Sequence, residues 1–136
     1  EFHQKLKKSQ IRKGDILIAR SGSFGKASIY LEDEIVNSSD IIIVEATKKK
    51  INPFYLVTFL NSLYGRFQLY RFASGGLQGH VNLTILEKLK IVIPKKELQE
   101  KIETVIKVAY ELKIKAENYL KKTEDLLLQE LGIADQ

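Results

Sequence analysis

The stretch KGDILIARSGSFGKASIY, residues 13–30, decides how the front of this chain folds. Ile16-Leu17-Ile18-Ala19 is a short continuous apolar run of the kind that forms a buried strand. Ser21-Gly22-Ser23-Phe24-Gly25 follows as a turn, since its two glycines take positive φ at little cost. Lys26 to Leu31 then returns as a second strand. Working outward, Asn37-Ser38-Ser39-Asp40 is a further turn, and Ile41-Ile42-Ile43-Val44 is a third strand favoured by β-branching. Lys48, Lys49 and Lys50 read as a solvated loop.

Asn52-Pro53 opens a helix, with Asn as the N-cap and Pro in the first helical position. Leu56, Phe59, Leu60, Leu63, Phe67 and Tyr70 recur at spacings of three and four, which predicts one helix with one buried face. Ser74-Gly75-Gly76 stops it. Leu77 to Asn82 reads as a polar loop, and Leu89 to Ile93 alternates as a last strand before Pro94. From Lys95 to Leu131 nothing breaks a helix, and that length is roughly 55 Å at 1.5 Å per residue. Leu98, Ile102, Val105, Ala109, Leu112, Ala116 and Tyr119 are spaced alternately by four and three, a heptad seam that calls for a partner helix. The alternative is that this helix folds back over its own sheet. The expected fold class is α+β: a small mixed α/β domain over residues 1–94, then one long coiled-coil helix within residues 95–136.

Charge separates the same two parts. Residues 95–131 carry eight lysines and eight acids, whereas residues 1–94 carry fourteen Lys or Arg against eight Asp or Glu, an excess of +6. A basic domain on a charge-balanced helix points to a polyanionic partner for the domain alone. The chain has no cysteine, which rules out a disulfide framework or thiolate metal site and fits a reducing cytoplasm. The apolar runs are too short to span a bilayer, so no membrane role is expected.

No catalytic constellation stands out. Asn52-Pro53-Phe54-Tyr55 is similar to the Asn-Pro-Pro-Tyr loop of amino-methyltransferases, but the second proline is Phe and no glycine-rich cofactor loop precedes it; a helix cap explains the same residues. Gly22-Ser23-Phe24-Gly25-Lys26 lacks the glycine spacing of a phosphate-binding loop, and Ala27 stands where Ser or Thr is needed. His3 and His80 are the only histidines, and they have no metal-ligand spacing. No metal and no cofactor are expected.

What remains is a set of basic, polar loops. Arg20, Ser21, Ser23 and Lys26 surround a glycine turn whose bare amides suit phosphates, and Lys48 and Lys49 add positive charge. Gln78 and His80 carry groups able to reach base edges, and Asn82 is a further candidate DNA contact.

Taken in order, these segments resemble the target-recognition domain of type I restriction-modification DNA specificity subunits. KGDILIARSGSFGKASIY resembles that family's strand-turn-strand, with Gly14-Asp15, Arg20, Gly22 and Gly25-Lys26 as marker positions. SSDIIIVEATKKKINPFYLVTFLNS resembles its next strand and helix, and FASGGLQGHVNLTILEKLKIVIP its late loop and exit strand. Pro94, Gln99 and Ile102 resemble the start of its long helix. The resemblance covers about Ile11 to Gly132 and implies a non-catalytic module that reads double-stranded DNA. Separate methyltransferase subunits would then modify adenine, and a motor subunit would restrict indirectly through them. A complete recognition domain of this kind carries more sequence before the KGD strand, and a full subunit carries two domains and two helices. The expectation is therefore a fragment or a half-subunit that forms a homodimer through its long helix. Two other readings stay open: the recognition end of a fused methyltransferase/restriction enzyme, and a coiled-coil dimeriser whose head binds protein.

Overall fold

The computed structural model describes residues 10–21, 25–31, 35–36, 40–45, 51–73 and 80–133. Strands β1 (Gln10–Ile11), β2 (Ile16–Ala19), β3 (Ala27–Ile29), β4 (Ile35–Val36) and β5 (Ile41–Val44) precede helices α1 (Pro53–Asn61), α2 (Leu63–Ala73), α3 (Leu83–Glu87) and α4 (Lys96–Glu130). The α+β class is as the sequence predicts. Compact units cover residues 1–100 and 101–136, so their boundary falls inside α4.

β2 is the centre of a three-stranded antiparallel sheet in the order β3-β2-β5. Its register sets Ile16 opposite Ile29 and Val44, and Ile18 opposite Ala27 and Ile42. Side chains alternate faces along a strand, so this register gathers Ile16, Ile18, Ala27, Ile29 and Ile42 on one buried face. A second antiparallel pair, β1 with β4, was not legible in the sequence because each strand has only two residues. The KGD segment is a tight turn. Asp15 N–H donates to Arg12 O, the buried Asp15 carboxylate accepts from Arg12 N–H at 2.8 Å, and Gly14 N–H reaches Tyr30 O. The second strand is shorter than expected, running from Ala27 to Ile29.

α1 starts as the sequence predicts. Asn52 Oδ1 accepts from Phe54 N–H at 2.9 Å and Tyr55 N–H at 3.3 Å, with Pro53 in the first turn. The single helix expected from Asn52 to Ala73 is instead two. Ser62 is extended at φ −66°, ψ 164°; its N–H and hydroxyl both donate to Phe59 O, and its hydroxyl accepts from Gly65 N–H at 3.3 Å. One serine thus caps the end of α1 and the start of α2. Beside it, Asn61 clamps the peptide of β3: its Nδ2 donates to Ala27 O at 2.7 Å and its Oδ1 accepts from Ala27 N–H at 2.9 Å.

The break overturns the predicted buried face. Leu56 and Leu60 are buried, but Leu63, Phe67 and Tyr70 are 81%, 66% and 49% exposed, and α2 turns Gly65 and Leu69 inward. Gly65 makes this packing possible. A Cβ there would lie 2.3 Å from Phe59 O and 2.6 Å from Leu60 O, so α2 meets the end of α1 backbone to backbone.

The last strand expected at Leu89 to Ile93 is also absent. A short helix, α3, precedes it, and side chains take up peptide groups that a ladder would have used. Gln68 donates to Lys90 O at 3.1 Å and accepts from Lys90 N–H at 2.9 Å, while the Tyr55 hydroxyl donates to Val92 O. α4 follows closely the predicted span and closes with Gly132 N–H to Gln129 O and Ile133 N–H to Leu128 O, a Schellman ending.

Candidate nucleic-acid interface

Described residues that border two of the segments singled out in the sequence meet at the end of β2. Ala19 ends β2 by donating to Lys26 O and accepting from Gly25 N–H, both at 3.0 Å. The next residue, Arg20, donates its N–H to Asp40 O at 2.9 Å and accepts at its carbonyl from Val81 N–H at 3.1 Å. Val81 is fully buried, so that bond is fixed from the core side. The residue after β2 and Val81 therefore lie side by side, although they are far apart in sequence.

Gly25 makes the return limb of the first loop fit. It is buried at φ 67°, and a Cβ on it would lie 2.7 Å from Cδ1 of Leu69, itself only 1% exposed. Glycine alone combines left-handed backbone with that approach, and Lys26 follows it into solvent.

Between these segments lies an open groove of about 570 Å³, lined by Arg20, Ile41 to Ile43, Asn82, Leu83 and Thr84. A guanidinium, an amide and a hydroxyl ring an apolar floor. Those are the groups that contact phosphate and base edges, and exposed Leu83 offers the apolar surface that meets a thymine methyl. Arg20, Lys26, His80 and Asn82 are exposed and Ser21 is half-buried. Ser23, Lys48, Lys49 and Gln78 lie outside the described residues. Asn82 also has a structural duty, since its Oδ1 accepts from Ile85 N–H at 2.9 Å and caps α3. Leu83, Thr84 and the β5 residues of the groove were missed in the sequence. The signal for the first two was Asn82 itself, an N-cap residue in front of Leu83-Thr84-Ile85.

A family model for the type I restriction modification DNA specificity domain matches residues 1–124. The chain belongs to that family. Comparison with curated protein sequences gives no match. DNA recognition in type I restriction-modification is thus the function class of this specificity domain, as the ordered motifs predict. Pro94 and Gln99, two of the markers at the start of its long helix, are physically linked. Gln99 is 6% exposed, donates to Pro94 O at 2.9 Å and accepts from Asn52 N–H at 2.8 Å, so it ties the first turn of α4 to the cap of α1. Among the described residues no cluster of His, Cys, Asp or Glu is placed to hold a metal ion, and no helix is long and apolar enough to cross a membrane.

On α4 the predicted seam is open. Leu98, Val105, Leu112 and Tyr119 are 49–71% exposed, Ala109 and Ala116 are exposed, and Ile102 is half-buried.

Proposed function

We propose that this specificity domain selects the duplex DNA sequence at which the partner subunits of a type I restriction-modification complex act, and that it performs no chemistry itself. The Arg20–Val81 bond carries this reading, because it sets Arg20 and Asn82 on one groove in the part of the chain that holds the excess positive charge. Arg20 and Lys26 hold phosphates, and Ser21, Ser23, Lys48 and Lys49 contribute further contacts to the duplex. Gln78 and His80 read base edges, and Asn82 contacts the duplex as well. A methyltransferase subunit then flips and methylates adenine, and a motor subunit restricts, in the cytoplasm. Residues 1–94 form the recognition part. Residues 95–136 form a pairing helix that spaces two such parts and docks the methyltransferase subunits.

The test is a salt titration of the assembled complex on random duplex and on cognate duplex recovered by selection from a random pool. Lys26→Ala weakens both duplexes alike and flattens the slope of log affinity against log salt by about 0.9. Gln78→Ala weakens the cognate duplex alone, by about 1–3 kcal/mol. Equal weakening of both duplexes by Gln78→Ala would falsify the division of labour, and absence of duplex binding by the complex refutes the function.

A further inference from the structure

Helix α2 turns its large side chains outward. Its inward face holds Gly65, which meets the end of α1 backbone to backbone, and Leu69. The opposite face carries Leu63, Tyr64, Phe67 and Tyr70, which are 49–81% exposed. Side chains three and four residues apart share a helix face, so these four form one strip. Large side chains bury about 150–250 Å² each, and at these exposures the strip presents on the order of 500 Å² of apolar surface. A patch of that size on a soluble domain marks a contact site. Positive charge lines both flanks. Arg66 lies along one flank, where its guanidinium donates to the Tyr70 hydroxyl at 3.0 Å and sits 5.8 Å from the centre of that ring. Arg71 lies along the other, and there Gln68 holds the Lys90 peptide against the helix through bonds of 2.9 Å and 3.1 Å. α2 contains no acid.

We propose that the outer face of α2 docks a short acidic segment of a partner protein, helical and bearing leucine or phenylalanine on the side it presents. Tyr, Phe and Arg are the residue types enriched at the core of protein interfaces. The Arg66–Tyr70 pairing and the Gly65 contact hold the face in place before binding, which lowers the ordering cost. Size selects the kind of partner. A stable contact between folded domains buries about 800 Å² on each side, more than this strip offers, whereas one amphipathic helix laid along it fits. In a second copy of this chain, a symmetric contact would set the face against itself, and Arg66 and Arg71 would find no acid on the opposing helix. A DNA duplex would supply phosphates to the cations but no apolar surface for the four outward side chains. The strip supplies the affinity, and the flanking cations select an acidic partner. This contact does not depend on what the groove at Arg20 and Asn82 binds.

The test titrates the full chain into three fluorescently labelled helical peptides of about 16 residues, roughly 24 Å of helix. The first has Leu along one face with Glu on both flanks, the second has the same Leu face with Lys on the flanks, and the third keeps the Glu flanks with Ser in place of Leu. Anisotropy shows the first binding about tenfold or more tightly than the third. At low salt it binds about three- to tenfold more tightly than the second. Phe67→Ser weakens the first peptide by about tenfold, and Arg66→Glu cuts its advantage over the second to below about twofold. Both side chains are exposed, so circular dichroism and the urea midpoint stay at wild-type values; if Phe67→Ser unfolds the chain, Leu63→Ser takes its place. Binding that survives these serine variants, as it does if the peptide sits on the long helix, overturns the assignment to α2. Equal binding of the first two peptides, or an unchanged preference in Arg66→Glu, overturns the acidic partner. Binding of none overturns the docking face. Loss of random-duplex affinity in Phe67→Ser with peptide binding intact makes the face a DNA contact and overturns it as well.

Discussion

Gln99 is the side chain whose loss this structure prices most directly. It is buried at 6% exposure and makes two hydrogen bonds to backbone groups outside regular secondary structure, accepting from Asn52 N–H at 2.8 Å and donating to Pro94 O at 2.9 Å. Gln99→Met keeps most of the side-chain volume and removes both bonds. Each lost bond costs about 1 kcal/mol, and a buried polar group left without any partner costs about 1–3 kcal/mol. Asn52 and Pro94 are half-buried, so water recovers part of the loss. The expected destabilisation is therefore about 2–4 kcal/mol, large for one residue without a catalytic role. Urea unfolding at neutral pH reads it as a lowered midpoint with unchanged slope. A loss below about 0.5 kcal/mol would mean that both backbone groups find full hydration without Gln99, and the account of the α1–α4 junction would be wrong.

Three other outcomes follow from particular contacts. Gly65→Ala destabilises by about 2–4 kcal/mol in thermal unfolding although alanine is the better helix former, because its Cβ collides with carbonyls of α1 that cannot rotate away; a stabilised variant refutes the close packing. Burial raises the Tyr55 pKa above its ordinary value near 10. The stability linked to its protonated form is complete below the unfolded value and is lost as pH rises through the folded one. Tyr55→Phe, short of its bond to Val92 O, is accordingly weaker by about 1 kcal/mol at neutral pH, and the gap narrows above about pH 10; a gap that stays constant there excludes the linkage. Leu112→Asp leaves the fold of the single chain nearly unchanged, since Leu112 is 59% exposed, but sets an unpaired charge in the seam and weakens helix pairing by about 3 kcal/mol or more. Sedimentation showing the same association for both proteins removes the seam from the interface.

The parts of this protein that were readable in its sequence are those held by local forces. β2, β3 and β5 are β-branched or apolar runs separated by turn residues, the Asn52-Pro53 cap acts on its own first turn, and α4 is an uninterrupted helix-forming stretch whose heptad repeats within it. Helix capping and side-chain periodicity span a few residues, so they leave a pattern along the chain. The same local pattern also identifies the basic loops and, in order, the family.

Tertiary structure decided what depends on a side chain meeting distant backbone. The apolar pattern runs through Ser62 without a pause, yet the helix breaks there, where Asn61 clamps Ala27 and Gly65 meets the end of α1. Leu89 to Ile93 alternates like a strand, but Gln68 and Tyr55 occupy peptide groups that a ladder would have used. The groove itself exists because Val81 bonds to Arg20, which sets Thr84 and β5 beside a loop that sequence separates from them. One amide or peptide hydrogen bond to a remote partner satisfies a backbone group as fully as a helix or sheet does. It has no period, and so only the folded chain shows where it falls.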